Sequence, residues 1–83
     1  MVKDDRPPLR RIHTDEMLEE GAGRFSLRYW RQRETAEIVE SLRPRRSEAL
    51  RVKPDGRIVN GNIRIKVLEE RGFDVNGLER EPA

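Results

Sequence analysis

The sequence predicts a small α+β domain: a mixed sheet with a hairpin, packed with two or three helices. Three stretches predict it. Lys53-Pro54-Asp55-Gly56 joins two short apolar arms, 49–52 and 57–59. Pro presets φ, Asp bonds its own backbone and Gly accepts φ > 0, so this is the turn of a hairpin. Thr35, Ile38, Val39 and Leu42 fall at i, i+3, i+4 and i+7 and share one helix face. The third stretch, 60–72, follows the hairpin and holds the strongest candidate for a site.

Taken in order, residues 1–8 are charged, end in Pro7-Pro8 and have little to bury, so a tail is expected there. Residues 9–13 have strand-like spacing with apolar ends, which predicts a short edge strand, and His13 reads as an ordinary residue of that edge. Thr14 or Asp15 caps a brief helical turn whose first residues are acidic, and Gly21-Ala22-Gly23 ends it. Phe25, Leu27, Tyr29 and Trp30 then alternate with Arg24, Arg28, Arg31 and Arg33. This cluster has two readings: core anchoring, or a surface where Trp30 or Tyr29 stacks on a base while arginines hold phosphate.

A helix is expected over 33–42, with Arg33 and Glu37 as an i,i+4 pair and its stop near Leu42, because Pro44 disfavours helical geometry at Arg43. Arg43-Pro44-Arg45-Arg46 is a basic loop, either a solvated connection or an anion contact. After the hairpin the pattern divides. Asn60-Gly61 is a hairpin dipeptide and Ile63-Arg64-Ile65-Lys66-Val67 alternates with period two, which argues for a third strand. The same residues also fit a helix over 62–71, capped by Asn60 or Gly61 and stopped at Gly72. In that form free amides at Gly61, Asn62 and Ile63, with Arg64 beside them, make an end that attracts phosphate. Phe73 and Val75 alternate with Asp74 as a last short strand, Asn76-Gly77 turns, and 79–83 is tail, leaving one domain over 9–78.

Composition bounds the function. The chain has 83 residues, 34% hydrophobic and 41% charged, with a net charge of +2. One small domain follows, much of it solvated face. No apolar run approaches the roughly twenty residues that cross a bilayer, and the N-terminus lacks an apolar leader, so a cytoplasmic location without membrane contact is expected. Without cysteine there is no disulfide, thiolate metal site or cysteine catalysis, and a single histidine makes a zinc site an unsuitable reading. Most of the 18 basic residues are Arg, whose guanidinium suits phosphate, but 16 acidic residues are interspersed and no one-signed stripe of a duplex binder emerges.

The run Asp55-Gly56-Arg57-Ile58-Val59-Asn60-Gly61-Asn62-Ile63-Arg64-Ile65-Lys66-Val67-Leu68 resembles the core motif of the ParB/sulfiredoxin superfamily, in which a strand ends in a Gly-x-x-Arg turn that enters a helix and grips nucleotide phosphate. Gly61 and Arg64 fall on the motif's Gly and Arg. Thr35-Ala36-Glu37-Ile38-Val39-Glu40-Ser41-Leu42 is similar to the helix before the family's hairpin, and the resemblance covers about residues 9–78. It implies a helix after Gly61 and a further arginine upstream, Arg28 or Arg31. The chain departs from the pattern as well. Asn62 stands where sulfiredoxins need Cys, which excludes sulfinic acid repair; Ile63 stands where Arg or His is usual; and the helix-turn-helix of partition proteins has no counterpart.

Two functional readings follow. The first is a stand-alone ParB-like domain binding a nucleotide or nucleic-acid phosphate through Asn60, Gly61, Asn62 and Arg64, helped by Arg28 or Arg31 and Arg57. The resemblance implies CTP or ATP as the nucleotide, with Mg2+ held mainly by phosphates. The second is a degenerate, non-catalytic copy that contacts another protein, as an antitoxin-like or accessory subunit, through mixed apolar and basic surface such as 25–30.

Overall fold

The computed structural model describes residues 7–21 and 23–83. The hairpin forms as its turn residues require: Gly56 N donates to Lys53 O at 2.9 Å, Asp55 Oδ1 accepts from Arg57 N at 3.0 Å, and Gly56 takes φ +95°. A Cβ at Gly56 would also lie 2.2 Å from the Pro8 carbonyl oxygen, so the N-terminal chain packs directly on the turn. Strands β1 (Arg51–Val52) and β2 (Ile58–Asn60) pair antiparallel with a register shift between Arg51 and Val52. A third strand, β3 (Glu81–Pro82), pairs parallel to β1, giving a mixed sheet in the order β2-β1-β3.

Four helices surround this sheet among the described residues: α1 (Asp15–Glu20), α2 (Arg24–Arg31), α3 (Thr35–Leu42) and α4 (Asn62–Glu70). Thr14 caps α1, its Oγ1 accepting from Met17 N at 3.1 Å. α3 buries Ile38 and Leu42 and stops at Arg43, whose extended geometry precedes Pro44 as expected. α4 is the centre of the molecule, packed against α2, α3 and the turn that follows it. Ile65, Val67 and Leu68 join Leu27, Ile38, Leu42, Leu50 and Ile58 in one core, while Asn62, Arg64 and Lys66 are buried too. The helix ends in a Schellman arrangement: Gly72 takes φ +77°, Phe73 N donates to Leu68 O and Gly72 N to Glu69 O, both at 3.0 Å.

Residues 63–67 are helical, as the resemblance implies, and the period-two alternative is set aside. The structure departs from the sequence expectations in four places. Residues 24–31 form α2, so there are four helices where two or three were expected. The edge strand expected over 9–13 is a single parallel bridge from Arg10 to Arg57, because Ile12 N turns away to donate to Asn62 Oδ1 at 3.0 Å. The strand expected at 73–75 is an extended link leading into a 3-10 turn, Val75–Gly77; Asp74 Oδ1 accepts from Asn76 N and bends the chain. The open edge of β1 is taken instead by β3, within the expected tail 79–83, through Glu81 N to Leu50 O at 2.8 Å and Ala83 N to Val52 O at 3.1 Å. Of the other expected tail, 1–8, residues 1–6 lie outside the described residues and Pro7 O accepts from Arg80 Nη1 at 2.8 Å. No helix among the described residues is long and apolar enough to cross a membrane.

Candidate functional site

The turn from β2 into α4 is fixed from three sides. Asn60 Nδ2 donates to Ala49 O at 3.0 Å and holds the end of β2 against the start of β1. Gly61 follows at φ +116°, where a Cβ would lie 3.1 Å from Leu50 Cδ1 and 3.2 Å from Leu42 Cδ2. Asn62 then braces the turn internally: Nδ2 donates to Ile58 O at 2.9 Å and Oδ1 accepts from Ile12 N. The first bond into the helix is Ile65 N to Gly61 O at 2.9 Å, so the amides of Asn62, Ile63 and Arg64 belong to the open first turn. They carry the positive end of the helix dipole.

This turn borders a cavity of about 700 Å³. One wall is 59–64; α1 supplies Met17 and Leu18, α2 supplies Ser26 and Trp30, and His13, Gly21, Gly23 and Glu48 complete the lining. Arg64 enters it from behind. Its residue surface is 4% exposed, and Nη1 donates to Ser41 Oγ at 3.0 Å and to Ser41 O at 3.3 Å. The guanidinium carbon lies 5.4 Å from the Trp30 ring centroid, a cation–π contact. Burial pulls the Arg64 pKa below its ordinary value, a shift that the Glu48 carboxylate opposes. Arginine stays charged at neutral pH all the same. Among the described residues no carboxylate comes within ion-pair distance of it, whereas the other deeply placed cation, Lys66, sits 3.1–3.7 Å from Glu70, Asp15 and Glu19.

Asn60, Gly61, Asn62 and Arg64 are therefore brought together at the cavity, and Arg28 and Arg31 are not. Arg31 turns to the other side of α2, where its guanidinium binds Glu70 and Glu19 and its pKa is raised by those bonds. Arg28 lies on the exposed face of α2. Arg57 is held by Asp55 at 2.8 Å. In the basic loop, Arg43 and Arg46 both pair with Glu40, so two of its cations have local counter-charges. The Asn62 side chain braces the turn through both of its polar atoms, so the expected anion-binding group there is its backbone N–H alone.

No pattern in the chain marks Met17, Ser26 or Glu48, which reach the cavity only because α1, α2 and the loop before β1 converge there. Trp30 was legible as an aromatic beside arginines, but its partner is Arg64, 34 positions away along the chain. Among the described residues no three His, Asp or Glu side chains gather into a metal cage. Compared with protein-family models, with curated proteins and with solved structures, the chain matches none.

Proposed function

We propose that the protein binds a nucleotide or nucleic-acid phosphate in the cavity at the start of α4, as the ParB/sulfiredoxin-like resemblance of residues 55–68 implies. One observation carries this reading: a buried guanidinium, without a carboxylate partner among the described residues, stands beside the open amides of a helix N-terminus. A desolvated charge without a counter-ion costs several kcal/mol, and an anion in the cavity offsets that cost. The volume of about 700 Å³ suits a mononucleotide. Amides of Asn62, Ile63 and Arg64 would take phosphate oxygens, the Arg64 guanidinium would give a charged hydrogen bond, and Trp30 with Met17 and Leu18 would border the base or sugar. A Mg2+ would arrive on the phosphates rather than in a protein cage.

The test is titration of isotope-labelled protein with CTP, ATP, ADP and a short single strand. Amide shifts centred on 60–64 are expected. Arg64→Met should weaken the bound nucleotide by about tenfold to a hundredfold, the worth of a charged hydrogen bond. The same variant should leave the free protein's urea midpoint unchanged or raised, because the lost contacts with Ser41 and Trp30 are offset by removal of a buried charge that has no carboxylate within ion-pair distance among the described residues. Unchanged affinity in Arg64→Met, or an absence of shifts at millimolar ligand, would remove the site. Ile63, in place of the usual Arg or His, favours a second reading in that event: a degenerate copy acting through a protein partner.

A further inference from the structure

Helix α2 carries a second surface that the cavity does not use. Leu27 faces the core at 2% exposure and Ser26 and Trp30 face the cavity, but Phe25 and Tyr29 leave 62% and 48% of their surface in solvent. They stand four residues apart, about 6 Å along the helix axis. A guanidinium lies over each ring: Arg24 at 4.6 Å from the Phe25 centroid and Arg33 at 4.6 Å from the Tyr29 centroid. Arg28 shares this exposed side and makes no ion pair among the described residues, and α2 contains no acidic residue. Tyr29 also meets Trp30 edge to face at 5.0 Å, so the surface is continuous with the cavity's rim.

Each feature narrows the occupant. A face decorated only with arginine on its own helix selects an anionic partner. The exposed parts of the two rings, beside those arginines, select a partner with flat faces of its own. An acidic peptide would answer the arginines and leave the rings uncovered, while a duplex keeps its base faces inside the stack. A single strand offers both phosphates and open bases.

We propose that Arg24, Phe25, Arg28, Tyr29 and Arg33 form a platform for single-stranded nucleic acid, with bases stacked on Phe25 and Tyr29 and arginines following the phosphates. The local contacts of the two flanking arginines do not block this. Arg33 meets Glu37 at 3.6 Å and Arg24 meets the Glu20 carbonyl at 3.5 Å, both solvent-exposed and readily exchanged.

The test is fluorescence anisotropy of a labelled oligothymidylate of about fifteen nucleotides. Binding is expected at about 50 mM salt and weaker binding at about 200 mM. The double variant Phe25→Ala/Tyr29→Ala should weaken binding about tenfold or more, and Arg28→Ala should reduce the slope of log affinity against log salt by about 0.7. A duplex of equal length should bind less tightly than the single strand. The double variant Phe25→Ala/Tyr29→Ala should leave unchanged the amide shifts that CTP causes at 60–64, which separates this face from the α4 cavity. All three altered side chains of the platform variants are exposed, so far-ultraviolet dichroism and the urea midpoint should match the unaltered protein. The proposal is overturned if the strand does not bind, if the double variant binds it equally well, or if duplex and single strand bind alike. It is equally overturned if sedimentation reveals a dimer that the double variant breaks, since the face would then belong to a second copy.

Discussion

Gly61 meets two demands that no residue with a side chain could meet together. Its φ of +116° is a conformation side chains rarely adopt, and Leu50 and Leu42 close the space where a Cβ would stand. Gly72, also at positive φ, has nothing within 4 Å of that position. The two glycines therefore separate strain from crowding. Gly72→Ala should cost about 1 kcal/mol and Gly61→Ala about 2–4 kcal/mol, read from urea denaturation midpoints. Equal costs would mean that the two leucines yield freely and do not shape the turn. Arg64 shows the limit of reading one residue at a time: the motif identified it, but its burial, its bond to Ser41 and its contact with Trp30 are properties of three elements at once.

At the scale of elements, α4 is where local pattern and fold part company. Alternation of apolar and basic residues over 63–67 fits a strand with one solvated face. In the fold Arg64, Ile65, Lys66 and Val67 are buried and Ile63 is half-buried, and the two basic side chains are accommodated because Lys66 meets three carboxylates and Arg64 meets Ser41 and Trp30. A helix enclosed on most sides has no wide polar stripe to announce it. The last strand was hidden for a different reason. Glu81 and Pro82 have no strand-like sequence; they pair because β1 has a free edge, and Glu81 also accepts from Arg45 N through Oε1. Ending the chain after Arg80 should therefore lower stability by about 1–3 kcal/mol, the worth of the two lost backbone bonds and the charged contact. A thermal midpoint unchanged by that truncation would show β3 to be ornamental.

Across the whole molecule the charges are organised rather than scattered. Lys66 gathers Asp15, Glu19 and Glu70; Arg31 binds Glu19 and Glu70; Arg11 binds Asp15 and Glu69. The network ties α1, α2, α4 and the segment before α1 together. Hydrogen bonding to Arg11 lowers the Asp15 pKa, and hydrogen bonding to Arg31 lowers that of Glu70. Carboxylates with depressed folded pKa values contribute stability that is present above their unfolded values and lost as pH falls through the folded ones. Urea midpoints should thus be flat with respect to these groups from about pH 8 to about pH 5 and decline below about pH 4. Glu70→Gln should cost about 1–2 kcal/mol at neutral pH and reduce the acid decline, discounted because the Glu70 side chain is 35% exposed. A decline of the same size in that variant would place the acid sensitivity elsewhere.

The local grammar of the chain determined the turn at Pro54-Asp55-Gly56, the cap at Thr14, the face of α3, its stop before Pro44 and the end of α4 at Gly72, because each depends on residues within a few positions of one another. Local pattern left 63–67 open, and the motif resemblance favoured the helix that forms. Tertiary structure alone decided that Glu81 and Pro82 complete the sheet, and that Arg31 is neutralised while Arg64 is left facing a cavity. Those outcomes depend on which side chains from distant segments arrive beside a given charge or strand edge. Spacing along the chain does not record that, since burial and counter-charge are properties of the packed whole.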